Sequence, residues 1–263
     1  EPPAVSEARE RVRLVVVSHH VRRHSVWNVI LRGLLMHLDR ARFELVIYHL
    51  GSQEDEETNW ARGQADIWRD RQTVSGAEGW LAAARLDRPD VIFYPELGMA
   101  SLSYMLAAHR LAPLQIASWG HPLTSGLSTI DIFMSGELIE PADASTHYRE
   151  RLVTLPGTVC CTAPLSLAPD TVDNLPSELV NHSGPRFVIA QRAIKFDPSD
   201  DLVIAEIAAR VSDSVFVVLR DPVAGCATDV VLDRLREAFL QRGADPERQI
   251  TVLPWLSPEQ FVG

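Results

Sequence analysis

The chain has no long hydrophobic run. None of its apolar stretches approaches the roughly 20 residues that a membrane-spanning helix needs. It is also poor in cysteine: among 263 residues only Cys160, Cys161 and Cys226 occur, an odd number with two adjacent and no CxxC spacing. A disulfide framework and a zinc ribbon are therefore not expected, and a reducing, cytoplasmic setting fits. Basic residues are in the minority, 25 Lys and Arg against 35 Asp and Glu, for a formal net charge of −10. Such a chain has no overall attraction for nucleic acid or anionic lipid, so any phosphate site must be local. Neither GxGxxG nor GxxxxGK[ST] is present, which removes the standard dinucleotide and P-loop fingerprints. The first residues, EPPAVSEARERVR, carry charges of both signs and do not read as a secretory signal.

Composition is that of a globular protein, 46% hydrophobic and 23% charged. Short apolar, β-branched runs alternate with segments of helical spacing. Strands are predicted over 13–18, 43–50, 90–94, 114–119 and 130–135. Helices are predicted over 26–38, 80–86 and 102–109, with a solvated helix start at 54–57. This alternation implies a parallel sheet with helices on both faces, and loops along its C-terminal edge where ligands bind. The run 162–185 breaks the pattern with Pro164, Pro169, Pro176, Gly184 and Pro185 and reads as a linker. A second αβ series follows, with strands at 187–190, 215–219 and 250–253, helices at 201–211 and 230–240, and a helix start at Pro258. The expected organisation is an N-terminal lobe over 1–165, a linker over 166–185, and a C-terminal lobe from 186 to 263 that is incomplete.

Three loops are candidates for chemistry. Ser18-His19-His20-Val21-Arg22-Arg23-His24-Ser25 leaves the first strand and enters a helix that Ser25 is placed to cap. One of its histidines is a candidate acid–base or polar contact, against the alternative of a surface loop with chance histidines. Trp119-Gly120-His121-Pro122-Leu123-Thr124-Ser125-Gly126 combines two glycines for close approach with small hydroxyls suited to sugar or phosphate oxygens, or is an ordinary tight turn. Gln191-Arg192-Ala193-Ile194-Lys195 follows the first strand of the second series. Its cations are candidates for offsetting a diphosphate, or are solvated surface charges. Glu96, at a strand end, reads as an acceptor contact or as a turn residue, and Cys160 and Cys161 as interior packing.

The ordered segments HVRRHSVWNVILRGLLMHLDRARFEL, DVIFYPELGM, RLAPLQIASWGHPLTSG, EPADASTHYRERLVTLPG, QRAIKFDPSD and VLPWLSPEQF give the chain a family likeness. Together they resemble the catalytic region of the O-linked N-acetylglucosamine transferase family, including its bacterial members and the related protein N-glycosyltransferases. The resemblance implies a glycosyltransferase of the B type, with two Rossmann-like lobes and a UDP-sugar donor carrying GlcNAc or glucose. It implies a protein or peptide acceptor, inversion at the anomeric carbon, and neither metal nor other cofactor. By this likeness His24 is the active-site histidine and Lys195 the lysine that grips the diphosphate. Trp119, Gly120, His121, Pro122 and Thr124 line the sugar, and Gln191, Arg192 and Phe261 belong to the donor site. The family's Lys and His near the last helix are Pro258 and Phe261 here, and the tetratricopeptide repeats that commonly precede this region are absent. Two other readings stay open: a sugar-nucleotide epimerase of the same architecture, and a non-catalytic module that binds nucleotide or peptide.

Overall fold

A computed structural model describes residues 9–162, 168–172 and 175–262. The chain divides into two compact units, Glu1–Pro164 and Leu165–Gly263. Parts of the predicted linker, with Pro164, lie outside the described residues. Within the rest of that run a short helix, α5, forms at Ser177–Val180.

The first unit is a seven-stranded, wholly parallel sheet. Its strands are β1 (Val12–Ser18), β2 (Phe43–His49), β3 (Ile67–Asp70), β4 (Val91–Tyr94), β5 (Leu114–Ser118), β6 (Ile132–Gly136) and β7 (Arg151–Leu155). Spatial order is β3-β2-β1-β4-β5-β6-β7. The order reverses between β1 and β4, whose register pairs Leu14 with Val91 and Val16 with Phe93. In open α/β sheets ligands bind outside the strand C-termini at such a reversal.

Helices α2 (Glu56–Gln64), α3 (Gly76–Asp87) and α4 (Ser101–Ala107) join the strands. Val15, Val17, Val46 and Ile92 pack on one face with Trp80 and Phe133, while Val16, Ile47 and Phe93 pack on the other with Trp27 and Leu31. Each such side chain, buried on both sides by the helical layers, contributes about 1.5–3 kcal/mol. The sheet is therefore a rigid platform for the loops at its edge.

The segment predicted as one helix over 26–38 is a π turn, Trp27–Leu31, followed by α1, Arg32–His37. The wide turn shifts the buried face: Trp27, Ile30, Leu31 and Leu35 are buried, while Leu34 and Leu38 are only partly so. Gly33 fits because a Cβ there would stand 2.0 Å from the Cys161 carbonyl oxygen, and the Cys161 N–H donates to Val29 O at 2.8 Å. Cysteine placement departs from expectation. Cys160 is exposed and Cys161 half-buried, because 158–162 runs over the helix surface rather than into the core.

The second unit has a three-stranded parallel sheet, order β10-β9-β8, from β8 (Arg186–Ile189), β9 (Val215–Leu219) and β10 (Ile250–Leu253). Helices α6 (Asp200–Arg210), α7 (Gly225–Gln241), α8 (Pro246–Gln249) and α9 (Pro258–Val262) complete it. Phe216, Phe239, Ala205 and Ala208 form one of its apolar clusters.

Candidate functional site

The loop after β1 is fastened to its neighbours. Glu96 Oε1, just beyond β4, accepts the His19 N–H at 2.7 Å, a bond that crosses the strand-order reversal. Thr58 Oγ1 on α2 donates to Val21 O at 2.6 Å, and Asp55 accepts the Arg23 N–H at 2.8 Å. Asp55 also caps α2, accepting from Glu57 and Thr58, so one carboxylate ties helix start to loop. The rings of His20 and His24 stack with centroids 3.9 Å apart and planes 9° from parallel.

His24, not Ser25, caps the following helix: its Nδ1 accepts the Val26 N–H at 3.2 Å. The lone pair used for the cap leaves the proton of the neutral ring on Nε2. To take a proton at Nε2 the ring would have to give up this bond. As placed, it is a hydrogen-bond donor.

Buried side-chain atoms with no hydrogen-bond partner gather at this edge. Among the described residues they are His19 Nδ1, His20 Nδ1, both ring nitrogens of His49, Tyr94 OH, Glu96 Oε2 and Trp119 Nε1. All belong to residues at or just past the C-termini of the neighbouring strands β2, β1, β4 and β5. His49 makes no bond of normal geometry, although the Gln53 backbone lies close enough to favour its charged form. Leaving a buried polar atom unpaired costs about 1–3 kcal/mol, so such a concentration marks a place built for something other than stability.

Burial sets the charge state here. It lowers the pKa of His19 and His49, and it brings His20 down to about 4 with help from His24, His19 and Arg22. These rings are neutral at pH 7. Burial also pushes the Glu96 carboxyl up to about 7, against the opposing His19 N–H and Ser18 hydroxyl. The sequence pointed to the loop and to Glu96 as alternatives. It gave no sign of His49, which ends a strand whose hydrophobic run hides it.

The loop after β5 divides into two parts. Gly120 donates its N–H to Pro95 O at 3.0 Å, and a Cβ there would stand 2.4 Å from the same oxygen. Its glycine therefore lets the loop lie against the turn that carries Glu96. The His121 ring covers Gly98. Trp119, Pro122, Leu123 and Thr124, with Glu140 and Tyr148, line a cavity of about 480 Å³. The hydroxyls, however, are spent internally. Thr124 Oγ1 donates to Glu150 Oε2 at 2.6 Å and accepts the N–H of Gly126 and of Arg149, each at 3.2 Å. Ser125 Oγ donates to Glu150 Oε1, which also takes the Ser125 N–H at 2.8 Å. Thr124 and Ser125 thus shape the loop and do not offer hydroxyls to a ligand, because a carboxylate 25 residues on claims them. Gly126 serves through its φ of +69° and not through close approach.

In the second unit, Lys195 ends a 3-10 turn, Ala193–Lys195, after β8 and is exposed. With Gln191, Phe196 and Asp200 it lines a cavity of about 280 Å³. Arg192 departs from the expected role: its guanidinium forms a two-pronged pair with Asp221 at 2.9 and 3.0 Å. That arginine, with backbone N–H bonds from Ala224 and Val223, holds the buried Asp221 carboxyl well below the usual range. The Arg192 charge is neutralised within the unit. Phe261 lines a separate, largely apolar cavity of about 240 Å³ with Ala190, Leu219, Trp255 and Pro258. Among the described residues no three His, Cys, Asp or Glu side chains group to hold a metal, and no helix is long and apolar enough to cross a membrane.

No family model matches the chain. It is 28% identical over 229 residues to the probable UDP-N-acetylglucosamine–peptide N-acetylglucosaminyltransferase SPINDLY of Petunia hybrida, covering 86% of this chain and 24% of that protein. To the protein of the same name from Arabidopsis thaliana it is 26% identical over 240 residues, covering 88% and 25%. The chain thus spans about a quarter of the length of these curated relatives. A solved lysine-to-methionine mutant of the Thermobaculum terrenum O-GlcNAc transferase superposes with a TM-score of 0.78 at 22% identity, covering 96% of this chain and 46% of that one. The chain is a sequence relative of the O-linked N-acetylglucosamine transferase family, and its α/β architecture is that family's fold.

Proposed function

We propose that the chain carries part of the catalytic region of a glycosyltransferase that moves a sugar, GlcNAc or glucose, from a UDP-sugar to a protein side chain. One observation carries this reading in a relative of peptide N-acetylglucosaminyltransferases. The unpartnered buried atoms of His19, His20, His49, Glu96 and Trp119 converge at the edge where an open α/β sheet binds its ligand. A sugar, dense in hydroxyls and uncharged, matches neutral imidazoles and a carboxyl better than an anion would.

In this reading the first unit takes sugar and acceptor, and the second takes nucleotide. Attack by the acceptor on one face of the anomeric carbon forms the new glycosidic bond, and the acceptor's proton passes to the departing diphosphate. The bond to the diphosphate breaks on the other face, so configuration inverts. Lys195 supplies a positive charge for the departing UDP without a metal or other cofactor. Losing one such contact typically costs about 100-fold or more in rate. The apolar cavity beside Phe261 suits the flat face of uracil. His24 Nε2 donates to a sugar or acceptor oxygen, in keeping with its capping tautomer. The setting proposed is cytoplasmic, with no nucleic-acid or membrane partner.

Incubating the natural protein with UDP-GlcNAc or UDP-glucose and proteins of its host, followed by mass spectrometry, should reveal the added sugar on side chains. Lys195→Met should abolish that addition with the fold intact. Isomerised sugar nucleotide without protein labelling would establish the epimerase instead. UDP binding by calorimetry with no product of either kind would establish a binding module.

A further inference from the structure

We propose that Glu96 is a positioning residue for this site, gripping the His19 amide across the strand-order reversal and so setting the His20–His24 stack. The inference deepens the transferase reading and rests on it for the reaction affected, but not for the grip itself. Of the fastenings just described, the Asp55 and Thr58 contacts come from the start of α2, as does the Glu56 carboxylate that pairs with Arg23. The Glu96 bond is the fastening that ties the loop to β4, on the far side of the reversal. It lies one residue before His20, whose N–H returns to Ser18 Oγ at 3.0 Å, and four residues later His24 caps the next helix. Any movement of His19 therefore reaches the stacked pair through a short, closed run of bonds.

The carboxyl is 1% exposed, and its second oxygen, Oε2, is buried with no partner. Gly120 presses on it from the β5 loop, where an added Cβ would come 3.2 Å from Glu96 Cβ. An ionised carboxylate grips an N–H more strongly than a neutral carboxyl does. The hold on His19 therefore tightens as Glu96 loses its proton, which burial delays to about pH 7. The titratable groups around it are His19, His20 and His24 on the loop, His49 at the end of β2, and His121 on Gly98. Arg22 and Arg71 act on His19, and Glu54 and Asp70 on His49. No charged group is among the influences on Glu96 itself.

The test uses proton NMR of the histidine Cε1–H signals of this chain from about pH 5 to about pH 9, a window that brackets Glu96. In the parent the His20 and His24 signals should show an inflection near neutral pH beyond their own titrations. In Glu96→Gln, which keeps an acceptor oxygen for His19, that inflection should vanish while the spectrum stays dispersed. The same inflection persisting in Glu96→Gln overturns the proposal. In the natural protein, Glu96→Gln should flatten the pH dependence of kcat near neutrality. A kcat profile that stays as in the parent overturns the link to the reaction. Should the natural protein transfer no sugar at all, the transferase reading fails, and the NMR result still decides the grip. Glu96→Asp, one methylene shorter, should restore the inflection only in part, whereas a purely space-filling role would leave Glu96→Gln like the parent and disturb only the shorter Glu96→Asp.

Discussion

Replacing Glu96 by glutamine removes an ionisable group from a position with almost no access to water, and the cost of that group can be worked out. Its pKa is pushed from an ordinary 4.5 up to about 7, chiefly by burial. Each tenfold change in proton affinity is about 1.4 kcal/mol, so ionising this carboxyl inside the fold costs about 3 kcal/mol more than in the unfolded chain. The native state holds the proton more tightly. The stability linked to Glu96 is therefore full below pH 4.5, falls as pH rises through 7, and is gone by about pH 8. Glutamine keeps the acceptor for His19 and never ionises. Glu96→Gln should thus match the parent at about pH 5 and exceed it above about pH 8 by about 3 kcal/mol, or roughly 6–12 °C in Tm. His19, His20 and His49, whose pKa values are lowered, withdraw stability from both proteins as pH falls below 6.5, so they cancel in the difference. Thermal unfolding followed by circular dichroism across this range is the measurement. A gap between the two proteins that is the same at both ends of the range refutes the argument.

Further substitutions separate packing from chemistry. His24→Asn supplies another good cap for the Val26 N–H, whereas His24→Ala supplies none. His24→Ala should lose about 1 kcal/mol in urea titrations and His24→Asn much less, with both slowing transfer through loss of the Nε2–H donor. Gly120→Ala puts a methyl group 2.4 Å from Pro95 O, so the loop must lift from the Glu96 turn. A Tm drop of several degrees, seen by calorimetry, is expected, and an unchanged Tm would show that the loop yields freely. Arg192→Ala strands the buried Asp221 carboxylate, and the double change with Asp221→Asn should recover much of the lost Tm. Equal Tm for the single and double variants would mean that the pair contributes nothing.

What could be read from the sequence follows from what is local. Runs such as VFVVL at 215–219 and FELVIYH at 43–49 are buried on both faces of a parallel sheet, so their hydrophobicity is continuous and their bounds are clear. Strands β3 and β7 escaped notice because both lie at sheet edges and their runs carry polar residues: β3 includes Arg69 and Asp70, and β7 exposes Arg151, Thr154 and Leu155. The loops that bear the histidines and Trp119 announced themselves as strand exits. What each side chain does there depended on distant partners. Thr124 is claimed by Glu150, Arg192 by Asp221 and His19 by Glu96, pairings separated by 26, 29 and 77 residues that no local pattern encodes. Helical spacing over 26–38 puts Val26, Val29, Ile30, Leu34 and Leu38 on one face, but only Val26 and Ile30 are buried, since a spacing rule assumes a uniform number of residues per turn.

The π turn at Trp27–Leu31 holds one residue more than an α-helical path would need. A helix with such slack can lose a residue there without breaking. Deleting Val29 would wind the segment into regular α-helix and leave the residues before and after it on their present faces, because the wide turn already absorbs the surplus residue. The imidazole of His24, three positions before the turn, would then keep its direction, whereas losing a residue from α1 would swing it by about 100°, the angle of one residue. Length is therefore free to vary by one residue at this spot and not one turn further along.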